Sequence, residues 1–502
     1  MTAGPPTRAP RRRRLLLPAL LAAAVAAPAV PALAATPPAT PAAPAAPSPA
    51  AALAAVPAAP ALPIVFVHGN SGSAAQFQSQ FQRFTSNGYR QNRLFAYEYD
   101  TSGPDNTAPI ADLDPYIDAV LRRTGAKQVY LAAHSRGTTV SHAYLADPAR
   151  AAKVAKYVNI DGRSAPTPPG GVPTLAIWGE WQSPPDPVRG AVGVIGNAVN
   201  IYNRDLGHTE AATSAKSFGE MYQFLLGRTP RTTDIVTTSA RTVRVAGRAV
   251  LFPQNQGFEG STLEVWRVWP ATGRRAGRSP VATYQIGADG AFGPLRLTRA
   301  HTYEFALTRP GATVHHFYQE RFRRDDRFLR LNSGRAGVGL EAYTPTSPDH
   351  VNLAVIRARE MWGDQGADND VLTTDALGDG QAPLNVLTPL TSPRSSTAAT
   401  GAVGEQNAVF VTDVGAARQP GPGYEAPDQQ TDLGKGQLFP FNALSFLSGV
   451  DVFLPASPQG RDTIQVGLEP RDGQIRSVIN VPNRPSDVHR ISISFRDDVQ
   501  RR

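Results

Sequence analysis

The sequence predicts a chain in two parts: an α/β half, with a mostly parallel sheet, flanking helices and no large cap, then an all-β half of sandwich or barrel modules. Three observations lead there. From about residue 62 to residue 230, short β-branched and aromatic runs alternate with helical patterns, as strand–helix–strand units require. Beyond about residue 235 the helical period is lost and strand-like alternation replaces it,. The chain has 502 residues, too many for one ordinary core. It has no cysteine, which excludes disulfides, thiolate metal sites and a cysteine nucleophile.

The first element is a leader. Arg11 to Arg14 precede the apolar run Leu15 to Val30, and Ala32-Leu33-Ala34 supplies small residues for cleavage. This predicts a signal peptide over 1–34 and a secreted, extracellular mature chain, by the general or the twin-arginine route. The run is shorter than the roughly 20 residues that cross a bilayer, and no later stretch is long enough, so no integral membrane segment is expected in the mature chain. The formal charge is +9, but five arginines and no acid lie in the leader, so a chain without it carries +4. Nucleic-acid binding is therefore not expected. Residues 35–61 are almost wholly Ala, Pro, Thr and Ser, a linker with too little apolar surface to order itself.

The α/β domain is placed at 62–230. Its strands are read at Leu62 to Val67, Leu94 to Tyr99, Gln128 to Ala132, Ala155 to Ile160, Pro173 to Trp178 and Ala198 to Tyr202. Between them, Ala74 to Ser86 sets Phe77, Phe81 and Phe84 at helical spacing, and Ile110 to Arg123 does the same with Leu113, Ile117, Val120 and Leu121. A last helix runs from Ser214 to Leu226.

The chemistry is concentrated at strand ends. In Ala133-His134-Ser135-Arg136-Gly137 a serine stands between a strand and a helix, with small residues on either side where the chain turns sharply. That is what a nucleophile elbow needs, although Ala133 replaces the usual glycine. After the first strand, His68-Gly69-Asn70-Ser71-Gly72 forms a glycine-flexible turn able to present the N–H of Asn70. With the N–H of Arg136 it would make an oxyanion hole. Asp161 follows a strand, and His208 sits in the loop before the last helix. Nucleophile, acid, base is the chain order expected of such an elbow. Asp161 is the favoured acid, with Glu180 and Asp186 as alternatives; Asp205 is assigned to a solvated loop. His68 and His134 belong to the turns, and His142 lies on the helix past the serine. No metal or cofactor is expected.

The β half divides into a sandwich-like module over 235–312 and a barrel-like module over 313–502. Strands are expected at Val243 to Phe252, Leu263 to Trp269, Val281 to Ile286, Thr302 to Leu307, Val450 to Leu454 and Ile491 to Phe495, with Asp289-Gly290 as a hairpin turn,. Residues 362–435 suggest long loops. Asp364, Asp368, Asp370, Asp375 and Asp379 have no register that suits a calcium loop, and His315-His316 is read as a strand with one imidazole on each face.

The elbow at Ala133 to Gly137, the His68-Gly69-Asn70 turn and the placing of Asp161 and His208 resemble those of serine lipases and esterases of the α/β-hydrolase superfamily. The layout as a whole is similar to the long-chain lipases typified by that of Archaeoglobus, in which a C-terminal β-barrel domain binds lipid. The resemblance implies an α/β-hydrolase catalytic domain with Ser135, Asp161 and His208 as its triad. It also implies a secreted carboxylic-ester hydrolase, specifically a triacylglycerol lipase working through an acyl-enzyme on acylglycerol or another ester at an oil–water interface. Arg136 beside the nucleophile departs from the pattern. A polyester depolymerase, an aminopeptidase of the same fold and a non-catalytic surface-binding protein are the alternatives.

Overall fold

The structure, a computed structural model, describes residues 61–187, 189–361, 370–377, 384–387, 407–413, 446–457, 460–471 and 475–497. The leader, nearly all of the linker, and Asp364, Asp368 and Asp379 lie outside them.

The α/β half is a six-stranded, all-parallel sheet formed by β1 (Ile64–Val67), β2 (Leu94–Tyr97), β3 (Val129–His134), β4 (Val154–Ile160), β5 (Thr174–Trp178) and β6 (Val199–Tyr202), in the order β2-β1-β3-β4-β5-β6. The chain reverses its direction of travel across the sheet between β1 and β3, and at such a switch point a crevice opens beyond the strand ends. Alternate residues of each strand serve opposite faces. On one face, Phe66 and Ile64 pack against Phe81 and Phe84 of α1 (Gln78–Ser86). Phe218 and Met221 of a later helix, Ala215–Leu226, cover the same face. On the other, Val65, Val67 and Leu131 meet Leu113, Ile117 and Val120 of α2 (Thr107–Thr124) and Val140 and Tyr144 of α3 (Arg136–Leu145). The phenylalanine pattern is therefore core. Two short helices complete this half, α4 (Pro148–Ala151) and α5 (Glu210–Thr213), before the helix Ala215–Leu226, which is α6. α6 is capped at its start by the Ser214 side chain and ends at Gly227, whose positive φ suits a glycine,.

The β half contributes β7 (Thr242–Leu251), β8 (Thr262–Val268), β9 (Ala282–Gln285), β10 (Ala291–Thr298), β11 (Thr302–Thr308), β12 (Val314–Gln319), β13 (Asp326–Ser333), β14 (Leu353–Ile356), β15 (Val371–Leu377), β16 (Leu384–Leu387), β17 (Ala408–Thr412), β18 (Leu447–Asp451), β19 (Thr463–Glu469), β20 (Ser477–Pro482) and β21 (His489–Ser494). They form a three-stranded sheet, β10-β7-β13, an eight-stranded sheet, β18-β17-β14-β21-β12-β11-β8-β9, and a four-stranded sheet, β16-β15-β19-β20. Leu263, Val265, Phe305 and Phe317 of the large sheet pack on Val243, Val245, Leu295 and Leu331 of the three-stranded one. Leu353, Val355, Val409 and Ile493 pack on Ile464, Val466 and Leu468 of the four-stranded one.

Two details differ from expectation. No sheet division falls at residue 312, because β11 and β12 pair antiparallel on either side of it inside the eight-stranded sheet. Asp289-Gly290 does turn, with Gly290 at φ +72°, but β9 pairs with β8 and β10 with β7, so the turn carries the chain from one sheet to another instead of closing a hairpin.

Candidate active site

Ser135 lies between the end of β3 and the start of α3 with φ 52° and ψ −124°, a conformation that costs a non-glycine residue of order 1–3 kcal/mol,. The surroundings hold it there. Its N–H donates to the Ile160 carbonyl at 3.1 Å, and its own carbonyl accepts from Thr138 Oγ1 at 2.6 Å. Gly137 allows the close crossing: a Cβ there would come within 2.5 Å of both the Val67 and His68 carbonyl oxygens.

The turn throws the serine hydroxyl toward His208, whose Nε2 is 3.0 Å from Ser135 Oγ. On the other side of the ring, Nδ1 is 2.6 Å from Asp161 Oδ2. Asp161 is fully buried at the end of β4, and its second oxygen accepts the Gly179 N–H at 2.9 Å. The acceptor on Nδ1 is thus Asp161, and neither alternative acid occupies that place. Glu180 begins a short turn after β5, its N–H donating to the Leu206 carbonyl, while Asp186 is exposed, 3.9 Å from Arg204. Asp205 pairs with Lys216 at the surface.

Burial opposes charge on both members of the pair. It holds the His208 imidazole well below its ordinary 6.5, assisted by the charge of Arg189, and it raises the Asp161 carboxyl to about 6,. The resting imidazole is neutral. With Nδ1–H donated to Asp161, Nε2 is left as the acceptor facing the serine hydroxyl.

Several contributors carry no signal in the sequence. Trp181 stacks face to face on His208, ring centres 3.9 Å apart and planes 7° from parallel. The Arg189 guanidinium lies 3.9 Å over the same indole. Gln76 joins the two sides of the site: its Oε1 accepts the Gly69 N–H at 3.2 Å and its Nε2 donates to His134 Nδ1 at 2.7 Å. His134 Nε2 in turn donates to the His208 carbonyl at 2.9 Å. An indole or amide useful only through tertiary contact leaves no spacing to recognise.

Four other histidines are held by neighbours of their own. His68 is buried and stacks on Tyr99, and His142 contacts Asn159 Oδ1. His315 lies between Ser333 and Ser492, and His316 between Glu304 and His489. Asp370 pairs with Arg357. Among the described residues no group of three or more His, Asp or Glu could hold a metal ion.

Asn70 is exposed beside the serine. Arg136 opens α3, where N–H groups have no carbonyl one turn back to bond,. The Arg136 side chain has its own task. It bonds Asn70 Oδ1 at 3.0 Å, Thr101 O at 2.8 Å, Asn106 Oδ1 at 2.8 Å and Asp105 O at 2.7 Å. The charge beside Ser135 thus ties Asn70 to the loop leading into α2.

A mainly apolar cavity of about 560 Å³ opens here, within the usual range for small-molecule sites. Asn70, Ser135 and His208 line it together with Phe317, Ala354 and Phe410 of the β half. Part of its wall is one face of the large sheet, where Phe317, Ser492, Ala354 and Phe410 stand side by side on β12, β21, β14 and β17. The serines that alternate with Ile491 and Ile493 therefore face this cavity, not open water.

Three family models match the chain. One described as Lipase (class 2) covers residues 61–147, one described as Lipase C-terminal domain covers 241–336, and a third, described only as a C-terminal domain, covers 339–499. Solved structures match the α/β half. The lin2722 gene product of Listeria innocua is 14% identical over 34% of this chain and 97% of its own, with a TM-score of 0.28. A structure titled as a predicted CIB-like hydrolase, from Thermoplasma acidophilum, is 14% identical over 34% and 90%, TM-score 0.26. Carboxylesterase CesB of Bacillus subtilis is 14% identical over 34% and 85%, TM-score 0.24.

Proposed function

We propose that this chain is an ester hydrolase of the lipases and esterases of the α/β-hydrolase superfamily, and more narrowly an exported lipase that cleaves acylglycerols through an acyl-enzyme. The observation that carries the reading is the relay Ser135–His208–Asp161 opening into an apolar cavity built jointly by both halves.

A serine hydroxyl is a weak nucleophile at its ordinary pKa. As Ser135 Oγ attacks the ester carbonyl, His208 Nε2 takes its proton, and the imidazolium is stabilised by the Asp161 carboxylate, which also fixes the tautomer. Charge develops on the carbonyl oxygen, where the N–H groups of Asn70 and Arg136 receive it. His208 then returns the proton to the leaving alcohol. Water, deprotonated by the same imidazole, releases the acid from Ser135. The apolar wall of the cavity accommodates the acyl chain, and the Ala/Pro-rich segment after the leader serves as a spacer in the secreted protein.

The test is turnover of nitrophenyl esters from acetate to palmitate, with labelling by a fluorophosphonate. Ser135→Ala should lose the label and about 10⁴-fold or more in kcat. Wild-type-like turnover by that variant would end this reading.

A further inference from the structure

The β half grips the backbone of two parts of the proposed catalytic apparatus from outside the α/β domain. Asn255, buried in the turn after β7 at φ +58°, donates its side-chain amide to the Gly72 carbonyl at 2.8 Å and the Tyr99 carbonyl at 3.0 Å. Gly72 closes the turn that carries Asn70, its N–H donating to the Gly69 carbonyl. Close by, Thr101 Oγ1 donates to the Pro253 carbonyl at 3.1 Å while accepting the Ser71 N–H at 3.1 Å. The oxyanion turn is therefore held at Ser71 and Gly72 by bonds that begin in the β half.

A second grip lies behind His208. The next residue, Thr209, donates its hydroxyl to the Glu360 carboxylate and accepts the Glu360 N–H at 3.0 Å and the Asn407 amide at 3.1 Å. The preceding residue, Gly207, is packed so closely on Glu360 that a side chain there would occupy the same space as the carboxylate. Glu210 is clamped by Arg359 at 2.9 Å and Arg471 at 2.7 Å. The backbone on both sides of the imidazole is thus seated on β-half residues.

We propose that Asn255 and Glu360 are positioning residues for ester hydrolysis, Asn255 fixing the oxyanion turn and Glu360 the His208 loop, so that the β half is needed for the chemical step and not only for engaging lipid. This rests on the active-site reading above. Neither side chain touches the reacting atoms. Their effect is on placement, where an error near 1 Å can cost about 10²-fold, and it falls on the transition state more than on ground-state binding.

The experiment uses the full chain and nitrophenyl acetate in homogeneous solution, with active sites counted by phosphonate titration. Asn255→Asp keeps the volume and removes the donor; Glu360→Ala and Thr209→Val each remove one end of the second grip. Each should lower kcat per titrated site at least about tenfold with KM within about twofold. Glu360→Gln, which still accepts from Thr209, should restore most of it, as a purely packing role would not require. If Glu360→Ala proves insoluble, Thr209→Val decides that arm. Near-wild-type kcat in Asn255→Asp and Thr209→Val, with Ser135→Ala inactive, overturns the proposal. Activity in Ser135→Ala would instead overturn the active-site reading.

Discussion

His208 is enclosed on every side that matters to its protonation. Asp161 takes Nδ1, Trp181 covers one face, and burial makes the charged imidazole unfavourable. The proposed hydrolysis needs the neutral ring, and a lowered pKa means that the neutral ring survives to lower pH. Since the same burial raises Asp161 to about 6, the proton entering this pair as the medium acidifies belongs to both groups. The expected profile of kcat/KM on an uncharged ester is flat through 6.5, the ordinary histidine value, and falls only below it. Arg189 adds to the depression through its positive charge. Removing that charge makes protonation easier, so Arg189→Gln should move the acid limb to higher pH; a limb that stays put or moves lower contradicts the electrostatic account.

At the scale of elements, the β3–Ser135–α3 turn is a demanding piece of backbone in the α/β half. Gly137→Ala would drive a methyl group against two carbonyl oxygens of the β1 end, each 2.5 Å away, and neither belongs to a flexible side chain. The expected cost is about 1–3 kcal/mol of stability, read as a lower midpoint in urea, and an unchanged midpoint would show that the crossing is looser than described. This turn was legible in the sequence because its constraint is local: strand, serine, small residue and helix follow one another within ten positions. Asp161 was legible as a strand-end residue and His208 as a loop residue ahead of the last helix, but their partnership with each other and with Trp181 depends on loop paths that periodicity does not specify. The β half shows the same limit. Strands such as β7, β8 and β11 announce themselves by alternation, while β15, β16 and β17 fall in the stretch read as long loops; β21 pairs parallel with both β12 and β14, and local pattern says nothing about such distant partners. Position 312 itself lies between two strands, β11 and β12, that pair with each other.

The whole molecule builds its cavity against one face of the large sheet, where small side chains stand among larger ones. Across β21, β14 and β17 the wall positions are Ser492, Ala354 and Phe410 in one row and Ser494, Ile356 and Ala408 in the next. All six line the cavity. Their opposite-facing neighbours, Ile493, Val355 and Val409, are buried against the four-stranded sheet, so the sheet cannot retreat without disturbing that core, and cores resist such shifts. A larger side chain at Ala354 must therefore extend into the cavity. Ala354→Phe should leave acetate and butyrate hydrolysis near wild type and reduce kcat/KM for palmitate by about tenfold or more, since losing room for a few methylenes at about 1–3 kcal/mol for each one misplaced is ample to produce that ratio. The chain-length profile of the variant checks it. Equal losses on short and long esters would mean that the acyl chain leaves the serine by another path, and that the β half's wall does not select substrate.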